Sequence, residues 1–196
     1  MDIEKQRQRR RDNMKLTKSG NARSDLIPDL GLSERDQFTL QSPTAWLTDK
    51  IINATQKLLK AQSPDVSGFQ SVACGLTLTM NFNVEAGELI QILHTEGHWL
   101  TISTTGTVHP EVIVYDSLYS TLPTLANAQI ASLLATQQPN IKVKFMDVQM
   151  QSGSSNCGLF TIAYATALRF GLPRGNFFFE QSEMRSHLQK CLEEQV

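Results

Sequence analysis

Residues 157–170, CGLFTIAYATALRF, are apolar at nearly every position, and no other stretch restricts the fold as tightly. A surface helix keeps one polar face, whereas a helix that is apolar all round has to be buried all round. Gly171 and Pro173 stop it, and the polar run Gln151-Ser-Gly-Ser-Ser-Asn156 leads into it. Other elements must therefore wrap around this helix. A chain of 196 residues, 40% apolar and 19% charged, can supply them without disulfides or a structural metal.

The wrapping elements are legible from periodicity. Leu47, Ile51, Ile52, Leu58 and Leu59 share one face at helical spacing, and Ser63-Pro64 ends that helix. Segments 88–94, 99–104 and 111–115 are short, rich in β-branched residues and separated by Gly97, Gly106 and Pro110, so they read as neighbouring strands. Residues 124–137 predict a surface helix. Residues 141–149 alternate through Val143, Phe145 and Val148 as a further strand. Residues 182–194 predict a polar closing helix. Strands framed by helices at both ends give an α+β class: a short central mixed β-sheet flanked by helices, with Cys157 at the N-terminus of the buried helix.

Residues 1–25 have almost no apolar content and read as a disordered tail, 26–41 as a linker punctuated by Ile27-Pro28, and 42–196 as the folded body. Residues 1–23 hold eight Lys/Arg against three acids, whereas 24–196 hold ten against sixteen. The acidic body argues against a nucleic-acid-binding core. The run Lys5-Gln-Arg-Gln-Arg-Arg-Arg11 fits a nuclear-import signal, a nucleic-acid contact or a solubilising tail. No apolar run reaches the ~18 residues of a membrane span, and no apolar core marks a secretory signal. Cys74, Cys157 and Cys191 are odd in number and lack paired metal-site spacing, which suits reduced thiols in the cytosol or nucleus.

Of the three, Cys157 stands where chemistry is easiest. The first turn of a helix presents amide N–H groups and a positive dipole end, both of which favour a thiolate. Gly158 beside it would let a substrate backbone approach. The alternative is a small buried hydrophobe, which describes Cys74 and Cys191 better. His98, opening a strand as Gly97-His98-Trp99, could take the thiol proton and later return it to a leaving amine. His94 lies four residues earlier, but His-x-x-x-His is a metal pair on a helix, whereas this segment reads as strand with no acidic third ligand near, so no metal is implied. Asp116, ending the next strand, could orient the imidazole through its Nδ1–H, or simply be a turn aspartate. Gln151, six residues before Cys157, could donate to an oxyanion together with the Cys157 amide; Gln149 competes for that role, and either could be a solvated surface residue.

Four blocks in this order resemble the ubiquitin-like-protein proteases, which include the SUMO-specific (sentrin-type, Ulp) enzymes. They are Trp46-Leu47-Thr48-Asp49-Lys50-Ile51-Ile52-Asn53, His98-Trp99, Val114-Tyr115-Asp116-Ser117, and Gln151 through Asn156-Cys157-Gly158-Leu159-Phe160. The resemblance spans about residues 42–170. It implies a cysteine-protease fold with Cys157 as nucleophile, His98 as general base, Asp116 as its orienter and Gln151 as oxyanion donor. It further implies that Trp46, Asp49 and Trp99 bind substrate, the two tryptophans clamping the extended di-glycine tail of a ubiquitin-like protein. No cofactor is implied, and the protein is expected to be a monomer. The family's usual Asp before the nucleophile is Asn156 here. The short body and the closing Met184-Arg185-Ser-His-Leu188 look more like divergent members in transposon-derived eukaryotic genes. Two other readings stand beside peptidase chemistry: a YopJ-type acyltransferase, which shares the triad order, and a module that holds a ubiquitin-like protein without cutting it.

Overall fold

The segments read as neighbouring strands do pair, and they form the middle of the molecule. The computed structural model describes residues 25–79, 88–107, 111–134, 140–172 and 178–196. The elements run β1 (Asp25–Ile27), β2 (Leu32–Ser33), α1 (Glu34–Gln41), α2 (Asp49–Gln62), β3 (Ser67–Gly68), α3 (Val72–Leu76), β4 (Leu89–Thr95), β5 (His98–Ser103), β6 (Glu111–Tyr115), α4 (Thr124–Leu133), β7 (Lys142–Phe145), α5 (Cys157–Arg169) and α6 (Gln181–Glu194). Strands β3-β4-β5-β6-β7 make one five-stranded mixed sheet. Its β4–β5 and β5–β6 pairs are antiparallel, and its β3–β4 and β6–β7 pairs parallel.

Successive residues of a strand face opposite sides, and here both sides are covered. Ile90, Ile92, Trp99, Ile113 and Tyr115 pack with residues of α2, α5 and α6 in one core. Leu89, Leu93, Leu100, Ile102, Val112 and Val114 pack with Ala126, Ile130 and Leu133 of α4 in another. Strands covered on both faces lose the polar alternation that marks a half-exposed one, which is why β4, β5 and β6 read as nearly continuous apolar runs.

Helix α5 is the hub the sequence demanded. Ten of its thirteen residues are buried, and it lies against β4, β5, α2 and α6. The Thr101 hydroxyl donates to the Thr161 carbonyl at 2.8 Å, stitching β5 to the helix. Of the other predicted elements, α4 ends at Leu133 and β7 at Phe145, while α6 starts one residue earlier than expected, at Gln181; residues 135–137 of the expected 124–137 helix lie outside the described residues. Phe145 is more than one-third exposed, so the alternation in 141–149 carries less burial than its pattern suggests. On edge strand β7, Lys142 and Lys144 both reach Glu111, the kind of charge that discourages further strand pairing.

Residues 26–41, read as a linker, are folded. A small β1–β2 pair leads into α1, and Ile27, Leu32 and Leu40 join the core around α5. A capping box starts α1: the Asp36 carboxylate accepts from the Ser33 amide at 2.9 Å and from its hydroxyl at 2.7 Å. The signal Ser33-x-x-Asp36 stands in the sequence, but the Pro28 and Pro43 flanking it read as punctuation. Residues 1–24, which hold the basic run, lie outside the described residues. Among the described residues no helix is long and apolar enough to cross a membrane.

Candidate active site

The β4–β5 connection sets the geometry. Thr95 pairs with His98, leaving only Glu96 and Gly97 in the turn, both at positive φ (49° and 77°). A two-residue hairpin of this kind needs left-handed backbone at both positions. Glycine adopts it freely at the second, while Glu96 is held there by the pairing around it. A Cβ on Gly97 would lie 3.5 Å from the Trp46 ring, so Trp46 lies across the turn. That places His98 at the very start of β5 and Trp99 opposite His94.

In the β5–β6 register Thr101 faces Tyr115, and Asp116 follows at the strand end. His98 Nε2 lies 2.8 Å from Asp116 Oδ1, both side chains being buried. The same Oδ1 accepts from the amides of Leu118 (2.8 Å) and Tyr119 (3.0 Å). Asp116 is thus a turn aspartate and the histidine's partner at once. The ring meets the carboxylate through Nε2 rather than the Nδ1 expected from sequence, which leaves Nδ1 for another partner. Asp116 Oδ2 is buried without a hydrogen bond among the described residues, so the carboxylate's charge is matched chiefly by the imidazole.

Cys157 is the first residue of α5 and is buried. Its side chain is a near neighbour of the His98 ring, close enough to help raise the ring's pKa. Burial pushes the His98 pKa down, but the Asp116 hydrogen bond, the Cys157 contact and their charges outweigh it and raise the value to about 9. A ring held cationic at neutral pH beside a thiol at a helix N-terminus supplies the parts from which nucleophilic sulfur chemistry can be built. Gln151 is bonded to Ser117, the residue that follows Asp116. Its amide N–H donates to the Ser117 carbonyl (2.9 Å), and its Oε1 accepts from the Ser117 hydroxyl (2.8 Å).

No protein-family model matches the chain, and none of the curated proteins matches it. Solved structures do. The C-terminal Ulp1 protease domain, determined in complex with Smt3, the yeast ortholog of SUMO, is 16% identical, with a TM-score of 0.64 over 84% of this chain and 83% of that one. Ulp1 with its catalytic cysteine oxidised to a sulfonic acid gives 0.68 over 93% of each chain at 15% identity. The Xanthomonas campestris effector XopD bound to ubiquitin gives 0.53 over 75% of this chain and 91% of that one at 14% identity. The fold is the Ulp1-like cysteine protease fold.

Within this Ulp1-like fold the remaining candidates separate. Gln149 is committed elsewhere: its Nε2 donates to the Phe179 carbonyl (3.1 Å) and its Oε1 accepts from the Phe179 amide (2.7 Å). Gln151 donates one N–H to the Gly153 carbonyl at 2.8 Å, and its carboxamide carries a second. The two tryptophans differ. Trp46 is 49% exposed, whereas Trp99 is 4% exposed, with its Nε1–H donated to the Leu47 carbonyl and its ring 4.4 Å from that of His94. Asp49 sits exposed in the first turn of α2, close enough to oppose the drop that burial causes in the His94 pKa. Gly158 packs inward. A Cβ there would meet Leu47 at 3.0 Å, so its small size seats α5 against the segment ahead of α2 rather than opening a path for substrate.

Sequence reasoning passed over Tyr119. It is 48% exposed and sets its ring edge-on to His98 at 5.0 Å between centroids. Its one signal was its place three residues after Asp116, inside the turn whose amides that carboxylate collects. Among the described residues no three His, Cys, Asp or Glu side chains gather as a metal site.

Proposed function

We propose that the chain is a thiol-dependent peptidase or isopeptidase that cleaves after the C-terminal glycine of a ubiquitin-like modifier. The buried His98–Asp116 pair beside Cys157 carries this reading. Cys157 attacks the glycine carbonyl as thiolate, and the Cys157 amide with Gln151 holds the oxyanion. His98, cationic at that moment, gives its proton to the departing amine, leaving a thioester. The now neutral His98 then draws a proton from water, the hydroxide equivalent opens the thioester, and the thiolate–imidazolium pair is restored. Asp116 keeps the ring turned and balances its charge. Trp46, exposed across the hairpin turn, is the aromatic that would hold the modifier's extended tail, with the buried Trp99 and the exposed Asp49 as its companions in substrate binding. A narrow aromatic clamp of this kind would admit glycines and exclude a tail that carries side chains.

The structures of Ulp1 in complex with Smt3 and of XopD bound to ubiquitin support a modifier of this class. Within that class, the short body and the closing Met184-Arg185-Ser-His-Leu188 favour a divergent, transposon-associated member. The test is covalent trapping: ubiquitin, SUMO and NEDD8 with electrophilic C-termini are each incubated with the chain and with Cys157→Ala. A probe-sized mass increase, lost in the variant, is expected with at least one of them. A folded chain that binds a probe without forming an adduct would instead be a binding module. Transfer of an acyl group from a thioester donor to a protein amine would point to the acyltransferase chemistry.

A further inference from the structure

The loop that carries Gln151 into Cys157 is held from both sides. On the β6 side Ser117 grips Gln151 through backbone and side chain. On the α6 side there is a reciprocal clasp. Gln149 places its carboxamide against the N–H and C=O of Phe179. Gln181 places its own against the N–H (2.8 Å) and C=O (2.9 Å) of Ser152. A carboxamide can donate and accept side by side, so each glutamine supplies the pair of bonds one strand residue gives another.

Both ends of the clasp are tied to the nucleophile. The ring of Phe179 packs edge-on against Phe160 (6.1 Å) and near Tyr164 (5.7 Å), both on α5. The Tyr164 hydroxyl donates to the Gln149 carbonyl at 2.7 Å. The Ser152 carbonyl, held by Gln181, also accepts from Asn156 Nδ2 at 3.1 Å, one residue before Cys157. A closed circuit therefore runs from α5 through Phe179 and Gln149 to the loop and back to Cys157.

We propose that Gln149 and Gln181 are positioning residues that set the Gln151–Cys157 loop for oxyanion stabilisation, making the start of α6 part of the reaction apparatus. The proposal rests on the peptidase reading above. Oxyanion donors work only when fixed where charge develops, and misplacement by about 1 Å can cost about 100-fold in rate. Attack on a small alkylating agent needs the thiolate but no such donors, so the two reactions separate positioning from collapse.

The experiment uses the full chain with Gln149→Met, Gln181→Met and both together, which keep side-chain length and lose the amide. In the double variant, turnover of ubiquitin or SUMO carrying a fluorogenic C-terminal amide is expected to lose at least about tenfold in kcat with KM nearly unchanged. Alkylation of Cys157 by iodoacetamide is expected to stay within about twofold, since the thiol's own surroundings are untouched. Backbone amides of 150–156 should exchange with solvent about tenfold faster while those inside α5 do not. Retained kcat would overturn the proposal, as would parallel loss of kcat and alkylation. If the unaltered chain turns over neither substrate, the peptidase reading fails separately; unchanged exchange at 150–156 would then overturn the clasp, and selective acceleration there would uphold it.

Discussion

At His98 the ring that the sequence marked as a candidate base meets the Asp116 carboxylate, whose turn and partner roles the sequence could list only separately. Its folded pKa of about 9 lies above the ordinary 6.5, so the charged ring favours the folded state. That contribution is complete below pH 6.5, shrinks as pH rises through the interval, and is gone above about 9. The ring proton shifts followed by NMR should titrate near 9, and the urea midpoint should fall between pH 6.5 and 9 by more in the native chain than in His98→Gln. A ring titrating near 6.5 would remove the imidazolium from the mechanism. Trp46 invites a different measurement. With half its surface in solvent it contributes little to the core, so Trp46→Ala should leave the melting temperature within a few degrees. On the substrates above it should raise KM about tenfold or more, as loss of a buried aromatic anchor does in a complex. Trp99→Ala, from a site 4% exposed, should instead destabilise the fold by about 3–5 kcal/mol.

Among the elements, α1 and α6 were read most differently from their structural weight. Helix α6 looked like a polar closing helix, yet it buries Arg185, Leu188 and Leu192. The Arg185 guanidinium donates to the Thr39 carbonyl (3.0 Å) and the Ala45 carbonyl (2.8 Å), binding α6 to the end of α1 and to the loop leading to Trp46. Asp36 works from the other end of α1. Burial alone would raise its pKa, but the Ser33 bonds, the Lys50 charge and the Thr48 bond hold it low. The start of α1 should therefore weaken only as pH falls below the ordinary carboxylate value, toward the lowered one. Arg185→Met leaves two carbonyls without their charged donor, a loss of about 2–4 kcal/mol. The lower urea midpoint should be accompanied by greater protease sensitivity around 39–46. A midpoint equal to the native one would mean that α6 does not secure α1. Neither link was legible, because a sequence shows an arginine's charge but not whether carbonyls from 140 residues away surround it.

For the whole molecule, the division between what was readable and what was not follows the range of the interactions. The sequence alone determined α2, the strands β4–β6 and the buried helix α5 with Cys157 at its head, since periodicity and chain breakers act within a few residues. The order of motifs also marked His98, Asp116 and Gln151 as candidates. Tertiary structure alone decided which ring nitrogen faces Asp116, that Trp99 is buried where Trp46 is not, that Gly158 seats a helix, and that Gln149 holds Phe179 and not an oxyanion. It likewise explains Gln91, a polar residue inside β4, fully buried and bonded to Gln56 of α2 and to the Gln70 backbone. Each of these depends on groups distant in the chain meeting where water is excluded. There a hydrogen bond left unmade carries a full desolvation cost, and the partner that prevents it is named only by the fold.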